Sequence, residues 1–451
     1  MSETNGMAGQ SRSVFSTWWP LALSWLLMGI ELPMISAVIG RLPNQEIMLA
    51  AFGGVVFPVA LLIESPIIMM LAASTAWSRD RASFNQLGRF MTRTAIGLTA
   101  IHALIAFTPL FDWIVVPLLE IPASVVSPAR VGLQIMILWT WAIADRRFRQ
   151  GALIRFGHRG TIARGTAVRL VATLGTLGLL WSESSWSGIA IGTIALSIGV
   201  LIEAAYVRAR AGVLLKGPLE AASEVMPKSR SVSLWVFYIP LAITPMLMLA
   251  TQPLAAAGIT RMPMPLEGLA LWGPAGGLIF LCRSAGIALN EVVIAHAEDA
   301  GAESRLRRFA WIWGLVFSGI LAVIAMSPLA QWWFGSVIGL DDKLTSLGAE
   351  TLWLAAPVPL LTFLQSHWQG LLVHQHRTRA VTASVVIFLL VTGLMIGLGV
   401  VIGSWNGLLV TLAAFTAGNT AQTLWLRWKW SIQGPTRPNQ PTAGLVAPEP
   451  G

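Results

Sequence analysis

Seven side chains in this 451-residue sequence carry chemistry where their neighbours are almost wholly apolar: Glu31, Glu64, His102, Arg169, Glu203, Gln252 and Arg283. An ionisable group at bilayer depth costs about 2.5–3.5 kcal/mol on translocon scales, so each of the six that ionise needs a reason to be there. Glu64, followed by Ser65-Pro66, and Arg283 fall near the middle of their apolar segments. Two readings stand for them. Either they face each other across a polar cleft, where Arg283 holds an anionic substrate or pairs with Glu64 when the site is empty, or they form a permanent ion pair between helices. His102 relays protons near neutral pH, or sits neutral and hydrogen-bonded to a neighbouring helix. Arg169 lies five residues inside Arg164, and Glu203 five inside Arg208, so adjacent antiparallel helices bring them to one depth as a structural pair. Glu31 and Gln252 stand two and one residues before Pro33 and Pro253, which free backbone carbonyls for a cation or a bend.

The elements that must position these groups are membrane spans. The chain is 55 % hydrophobic and 11 % charged, with a mean hydropathy of +0.69. Soluble domains carry about 25 % charged residues, so a water-soluble enzyme is excluded, and so is a disordered chain. Windows of about 20 apolar residues place twelve spans: 15–40, 47–77, 91–118, 124–145, 165–182, 186–207, 231–259, 266–297, 309–333, 346–373, 380–403 and 405–428. The second is too long to stand upright, and Pro58 and Pro66 mark where it tilts or bends. The polar start to Ser13 precedes no small-residue cleavage site, so the first span reads as a retained helix. With the N-terminus inside, 24 Lys and Arg fall on the inner side against Arg41, Arg261 and Lys343 outside. That bias puts both termini in the cytoplasm; if the source is prokaryotic, the membrane is the inner one. The dense run Arg146, Arg147, Arg149, Arg155, Arg159, Arg164 reads as topology control and contact with anionic lipid headgroups, or as an electropositive vestibule. The resulting division is a cytoplasmic segment 1–14, a six-helix bundle 15–212, a linker 213–230, a second bundle 231–430, and a Pro-rich, disordered tail 431–451.

The bundles read as two copies of one unit. Shifted by 220, Pro20-Leu21-Ala22 falls on Pro240-Leu241-Ala242, Pro33 on Pro253, Arg41 on Arg261, Pro43 on Pro263 and Gly53 on Gly273. Shifted by 219, Arg89-Phe90 falls on Arg308-Phe309 and Gln150-Gly151 on Gln369-Gly370. Even span counts make this a parallel repeat about an axis along the membrane normal, a transporter arrangement. The offset of 220 sets Arg283 against Ile63, one residue from Glu64. Thr251 stands opposite Glu31, so the second half lacks a matching acid. Of catalytic or energising signatures there is no phosphate-binding P-loop, no H-E-x-x-H, no G-x-S-x-G, and a single cysteine, Cys282. No enzyme, cofactor, metal site or nucleic-acid contact is expected, beyond a coupling proton or sodium ion.

In topology the chain resembles the multidrug/oligosaccharidyl-lipid/polysaccharide (MOP) exporter superfamily, which includes the MATE exporters. Trp18-Trp19-Pro20-Leu21-Ala22-Leu23, Phe148-Arg149-Gln150-Gly151 and Pro357-Val358-Pro359 resemble segments of its progressive ankylosis protein branch. The resemblance implies an all-α protein of two six-helix bundles in a V, with a cleft lined by spans 1, 2, 7 and 8. It implies a monomeric secondary exporter working by alternating access, with a small organic or phosphate-containing anion as cargo. It also makes Glu31 a candidate proton or sodium site. A lipid-linked saccharide flippase and a cation or drug antiporter are the alternatives within the superfamily. A non-transporting membrane scaffold is the alternative outside it.

Overall fold

A computed structural model describes residues 13–182, 185–225, 234–299 and 301–433, and every regular element among them is helical. The segment 1–12 and the tail from residue 434 lie outside the described residues, as do 226–233, the end of the linker and the first three residues assigned to the second bundle. Among the described residues, twelve helical columns cross the molecule. The first six are span 1 (Val14–Ile39), span 2 (Gln45–Trp77), span 3 (Arg81–Phe107), span 4 (Ala123–Ile135 continued by Ile137–Arg155), span 5 (Gly160–Ser182) and span 6 (Gly188–Leu214). The second six are span 7 (Leu234–Thr260), span 8 (Pro265–His296), span 9 (Ala302–Ala325), span 10 (Asp342–His374), span 11 (Thr378–Ile402) and span 12 (Gly407–Gln433). Among the described residues nine columns are long and apolar enough to cross a membrane alone, and the two pieces of span 4, bent by 42°, make a tenth. Spans 5 and 12 are more polar, carrying Arg164 and Arg169 in one and Asn419, Gln422 and Arg427 in the other, and lie along spans 6 and 11. The end holding Val14 and Gln433 is the near end, and the opposite one, holding Arg41 and Arg261, is the far end.

Several boundaries differ from those that hydropathy sets, for local reasons. Span 3 begins at Arg81 rather than near 91 because a capping box starts it in polar sequence. Asp80 accepts the Ser83 N–H at 2.7 Å, and Ser83 Oγ accepts the Asp80 N–H at 3.0 Å. The Ser83 N–H, ahead of all else, holds the Asp80 carboxyl below its ordinary range. A lowered folded pKa means the cap stabilises above the unfolded carboxyl's pKa and fades as pH falls through the folded one. Asp80→Ala is therefore expected to cost about 1 kcal/mol at neutral pH, and thermal unfolding in detergent should show its deficit narrowing in acid. Span 3 stops at Phe107 because Thr108, preceding Pro109, is extended at φ −115°, ψ 172°. The stretch to Leu119 then forms a separate π-helical turn, Phe111–Val115, and a short helix, Val116–Leu119. Span 9 likewise stops at Ala325 ahead of Pro328, and a π-helical run, Trp332–Ile338, follows.

Contacts obey the repeat. Near the N-terminus Trp18 Nε1 donates to the Ala285 carbonyl at 2.8 Å; in the other half Tyr238 Oη donates to the Pro66 carbonyl at 2.5 Å. The near ends of spans 1 and 7 are thus exchanged: Trp18 and Ala22 pack in a core with Ala285, Phe363 and Trp430, while Tyr238 and Ala242 pack with Ile67, Met70 and Phe90. Gly53 and its counterpart Gly273 meet backbone to backbone, where a Cβ on Gly53 would lie 2.9 Å from Gly273 Cα. Farther along, Gly151 packs on Leu71 and Ser74 as Gly370 packs on Asn290 and Val293, an offset of 219. The first half therefore holds one extra residue between Gly53 and Leu71. Span 2 is π-helical over Ala50–Val56, whereas span 8 is α-helical throughout. A π-turn is how a helix absorbs an inserted residue. Beyond it the counterpart of Arg283 is Glu64, not Ile63.

Candidate functional site

The near halves of spans 4, 5 and 6 build a buried charged network with span 1. Arg146, from span 4, is hydrogen-bonded to Glu203 of span 6, whose other oxygen accepts Gln150 Nε2 at 3.2 Å. Arg169 of span 5 joins Glu203 at 3.7 Å and Glu31 at 3.1 Å. Thr173 Oγ1 donates to the second Glu31 oxygen at 2.9 Å. Two arginines and two glutamates thus neutralise one another, and Glu203 is fully buried. Each charge is paired and hydrogen-bonded, the condition on which buried ions are tolerated. In the second half the positions of Arg146 and Glu203 hold Gln365 and Gln422, which bond to Asn419, Thr423 and Ser384 instead.

Glu64 and Arg283 are not paired: among the described residues no ion pair joins them. Each is turned toward its own half. Glu64 is 4 % exposed, its Oε2 has no hydrogen-bond partner, and the cations acting on it are Arg147 and Arg146. The Arg283 guanidinium stands 5.6 Å from the Phe415 ring centroid, and its Nε is unpartnered. Repeat-related residues touch only on the axis, as Gly53 and Gly273 do. Glu64 lies eleven residues beyond Gly53, about 16 Å along the helix, where the two halves are no longer in that contact.

The remaining candidates are placed as follows. His102 is fully buried between spans 3 and 4, with Nδ1 3.2 Å from Thr140 Oγ1 and Nε2 3.0 Å from the Leu133 carbonyl. Since a carbonyl only accepts, Nε2 carries a proton, and Nδ1 is free to accept the Thr140 hydroxyl, so the neutral ring meets both partners. Gln252 Oε1 accepts Trp272 Nε1 at 3.2 Å, joining spans 7 and 8. Glu291 is exposed, with Arg159 the cation acting on it. Arg147 is the residue that hydropathy missed. Ending span 4 at 145 assigns it to a loop, yet the helix runs to Arg155. Arg147 is half-buried among Arg146, Arg169, Glu64 and Glu203, and its Nε is unpartnered.

At the far end the halves are tied by two arginines in equivalent roles. Arg41 Nη1 donates to Ala37 O at 2.7 Å within its own half and, across the interface, to Val337 O at 2.8 Å and Ile338 O at 3.2 Å. Its Nη2 donates to Ser336 O at 2.5 Å. Arg261 Nη1 donates to Ala257 O at 2.7 Å, and Nη2 reaches Leu118 O at 3.1 Å and Pro117 O at 3.5 Å. Each arginine caps carbonyls in the opposite half: Arg41 those of the π-helical run Trp332–Ile338, and Arg261 those of the short helix Val116–Leu119 that follows the π-helical turn. The ties differ at one place: Glu120, which pairs with Arg261 at 3.1 Å, has Gly339 as its counterpart. Both residues have positive φ, 44° and 88°, and a Cβ on Gly339 would press 2.8 Å from Arg41 Cγ.

No protein-family model matches the chain, and no curated protein matches it in sequence. Solved structures do match in fold. An inward-facing multidrug resistance MATE family transporter of the MOP superfamily is 12 % identical, with a TM-score of 0.61 over 92 % of this chain and 94 % of that one. An outward-facing structure of such a transporter is 13 % identical, with a TM-score of 0.60 over 93 % and 95 %. The MATE multidrug transporter DinF-BH, solved in complex with a small molecule, is 16 % identical, with a TM-score of 0.60 over 96 % and 97 %. At these identities what is shared is the architecture. The chain has the twelve-helix fold of the MATE transporters, a multi-pass membrane fold known in inward- and outward-facing forms.

Proposed function

We propose that the chain is a secondary active exporter, alternating between the far-end-closed state and one closed at the near end. The observation that carries this reading is the pair of far-end ties. Both use exposed or half-exposed arginines on backbone carbonyls, groups that water satisfies when the tie opens, so closure is reversible at modest cost. The fold's occurrence in inward- and outward-facing forms supports the same cycle.

The cargo in this reading is a small organic or phosphate-bearing anion, with Arg147 in the first half and Arg283 in the second as the candidate cationic ligands. Two arginines within the spans that form no ion pair with a carboxylate among the described residues, each with an unpartnered Nε, support an anion, as does the resemblance to the progressive ankylosis branch. The coupling proton or sodium ion is taken at Glu64, which has a free oxygen, rather than at Glu31, whose oxygens are both engaged. The arginine-rich near end faces the cytoplasm, and the working unit is a monomer.

Metabolite profiling of medium from cells with and without the protein tests the reading. Arg283→Gln or Glu64→Gln should lower export about 10- to 100-fold, the loss of one hydrogen bond to a charged group. Folded yield should hold, because neutralising an unpaired buried charge removes a desolvation cost. Unchanged export from both variants would remove these residues from the mechanism. Altered lipid-linked glycans in the same strains would assign the fold to lipid flipping instead.

A further inference from the structure

A cavity of about 790 Å³ opens between the near ends of spans 3, 4 and 6. Four arginines line it: Arg89 and Arg93 from span 3, Arg149 from span 4 and Arg208 from span 6. The one acid there, Asp145, is buried and already shared, by Arg149 at 3.1 Å and Arg208 at 2.9 Å. The Arg208 guanidinium also stands 5.0 Å from the Trp141 ring centroid, which fixes its position. Arg89 and Arg93 have no partner among the described residues. Three positive charges in excess call for an anion.

The rest of span 3 says what is attached to that anion. Helical spacing puts Arg89, Arg93, Ile96, Ala100, Leu104 and Phe107 on one face. Beyond the arginines the face is apolar and exposed: Ile96 is 59 % exposed, Leu104 53 % and Phe107 62 %. From Ile96 to Phe107 the track is about 16 Å long, close to the half-thickness of a bilayer's hydrocarbon core, about 15 Å. The helix Lys216–Val225 packs against spans 3 and 6 at the same end. A cationic cradle continuing into an apolar track one leaflet long fits an amphiphile, not a soluble ion.

We propose that this cavity binds the phosphate headgroup of an acidic phospholipid, with an acyl chain along the apolar face of span 3. The site is independent of the transport reading. Native mass spectrometry of the full chain in detergent tests it, with phosphatidylglycerol, phosphatidylcholine and glycerol phosphate as probes. Arg89→Gln with Arg93→Gln should weaken phosphatidylglycerol binding about 30-fold, because two of the positive charges that attract an anionic headgroup are removed. Phosphatidylcholine binding should not change, and millimolar glycerol phosphate should not compete. Arg307→Gln with Arg308→Gln removes the same charge at the near end of span 9 and should leave phosphatidylglycerol binding within about threefold, since surface charges act weakly at a distance. Equal phosphatidylglycerol affinity in wild type and the span 3 variant would overturn the site. So would an equal loss in the span 9 variant. Competition by glycerol phosphate would overturn the lipid assignment in favour of a soluble phosphate.

Discussion

Arg146→Gln alone, or Glu203→Gln alone, is expected to cost about 3–5 kcal/mol of stability, enough to deplete folded protein, because each leaves one charge of the buried network uncompensated. The double variant is expected to fold nearly as well as wild type. Removing both leaves Arg169 with Glu31 at 3.1 Å, a balanced pair. The second half supplies the precedent, since Gln365 and Gln422 stand at these positions and are satisfied by neutral neighbours. Detergent-solubilised yield and thermal unfolding of the two singles and the double form a closed cycle. A coupling energy near zero would mean the network is not the buried, mutually compensating unit its geometry describes.

Arg41→Ala with Arg261→Ala is expected to shift the balance from far-end-closed to far-end-open by about 10- to 100-fold. The pair donates five hydrogen bonds across the interface, each worth about 1 kcal/mol net or less where water competes. Spin labels at Phe107→Cys and Met326→Cys, in a Cys282→Ser background, report on this end. Both sites are exposed, at 62 % and 80 %, and they are repeat counterparts at the far ends of spans 3 and 9. The variant should gain a longer-distance population. A distribution unchanged from wild type would show that the arginines do not hold the halves together.

The twelve-helix fold was legible because hydropathy, loop arginines and the repeat are long-range signals that summed in one direction. The repeat also named the residues that tie the far end, Arg41 and Arg261, though only as outer-loop charges, since nothing in the sequence marks a carbonyl as a partner. What escaped was set by local chemistry. Arg147 was hidden because hydropathy ends a span at the first charges, whereas the helix continues while its side chains find partners inside the bundle. The Arg283 register slipped by one because the π-turn at Ala50–Val56 leaves no mark in composition. Glu31 read as a lone acid because Arg169 and Thr173, which engage it, lie more than a hundred residues away.

Alternation between the two ends is most directly tested by measuring both at once. A second label pair, Gln86→Cys and Ser304→Cys, sits on exposed positions at the near ends of spans 3 and 9. Electron–electron distance distributions for this pair and for the Phe107/Met326 pair would be recorded with and without an imposed proton or sodium gradient, in wild type and in the Arg41→Ala, Arg261→Ala variant. An exporter that works by rocking its halves gives opposed changes: whenever the far-end distance lengthens, the near-end distance shortens. Distances that lengthen together, or that stay fixed under every condition, would contradict it.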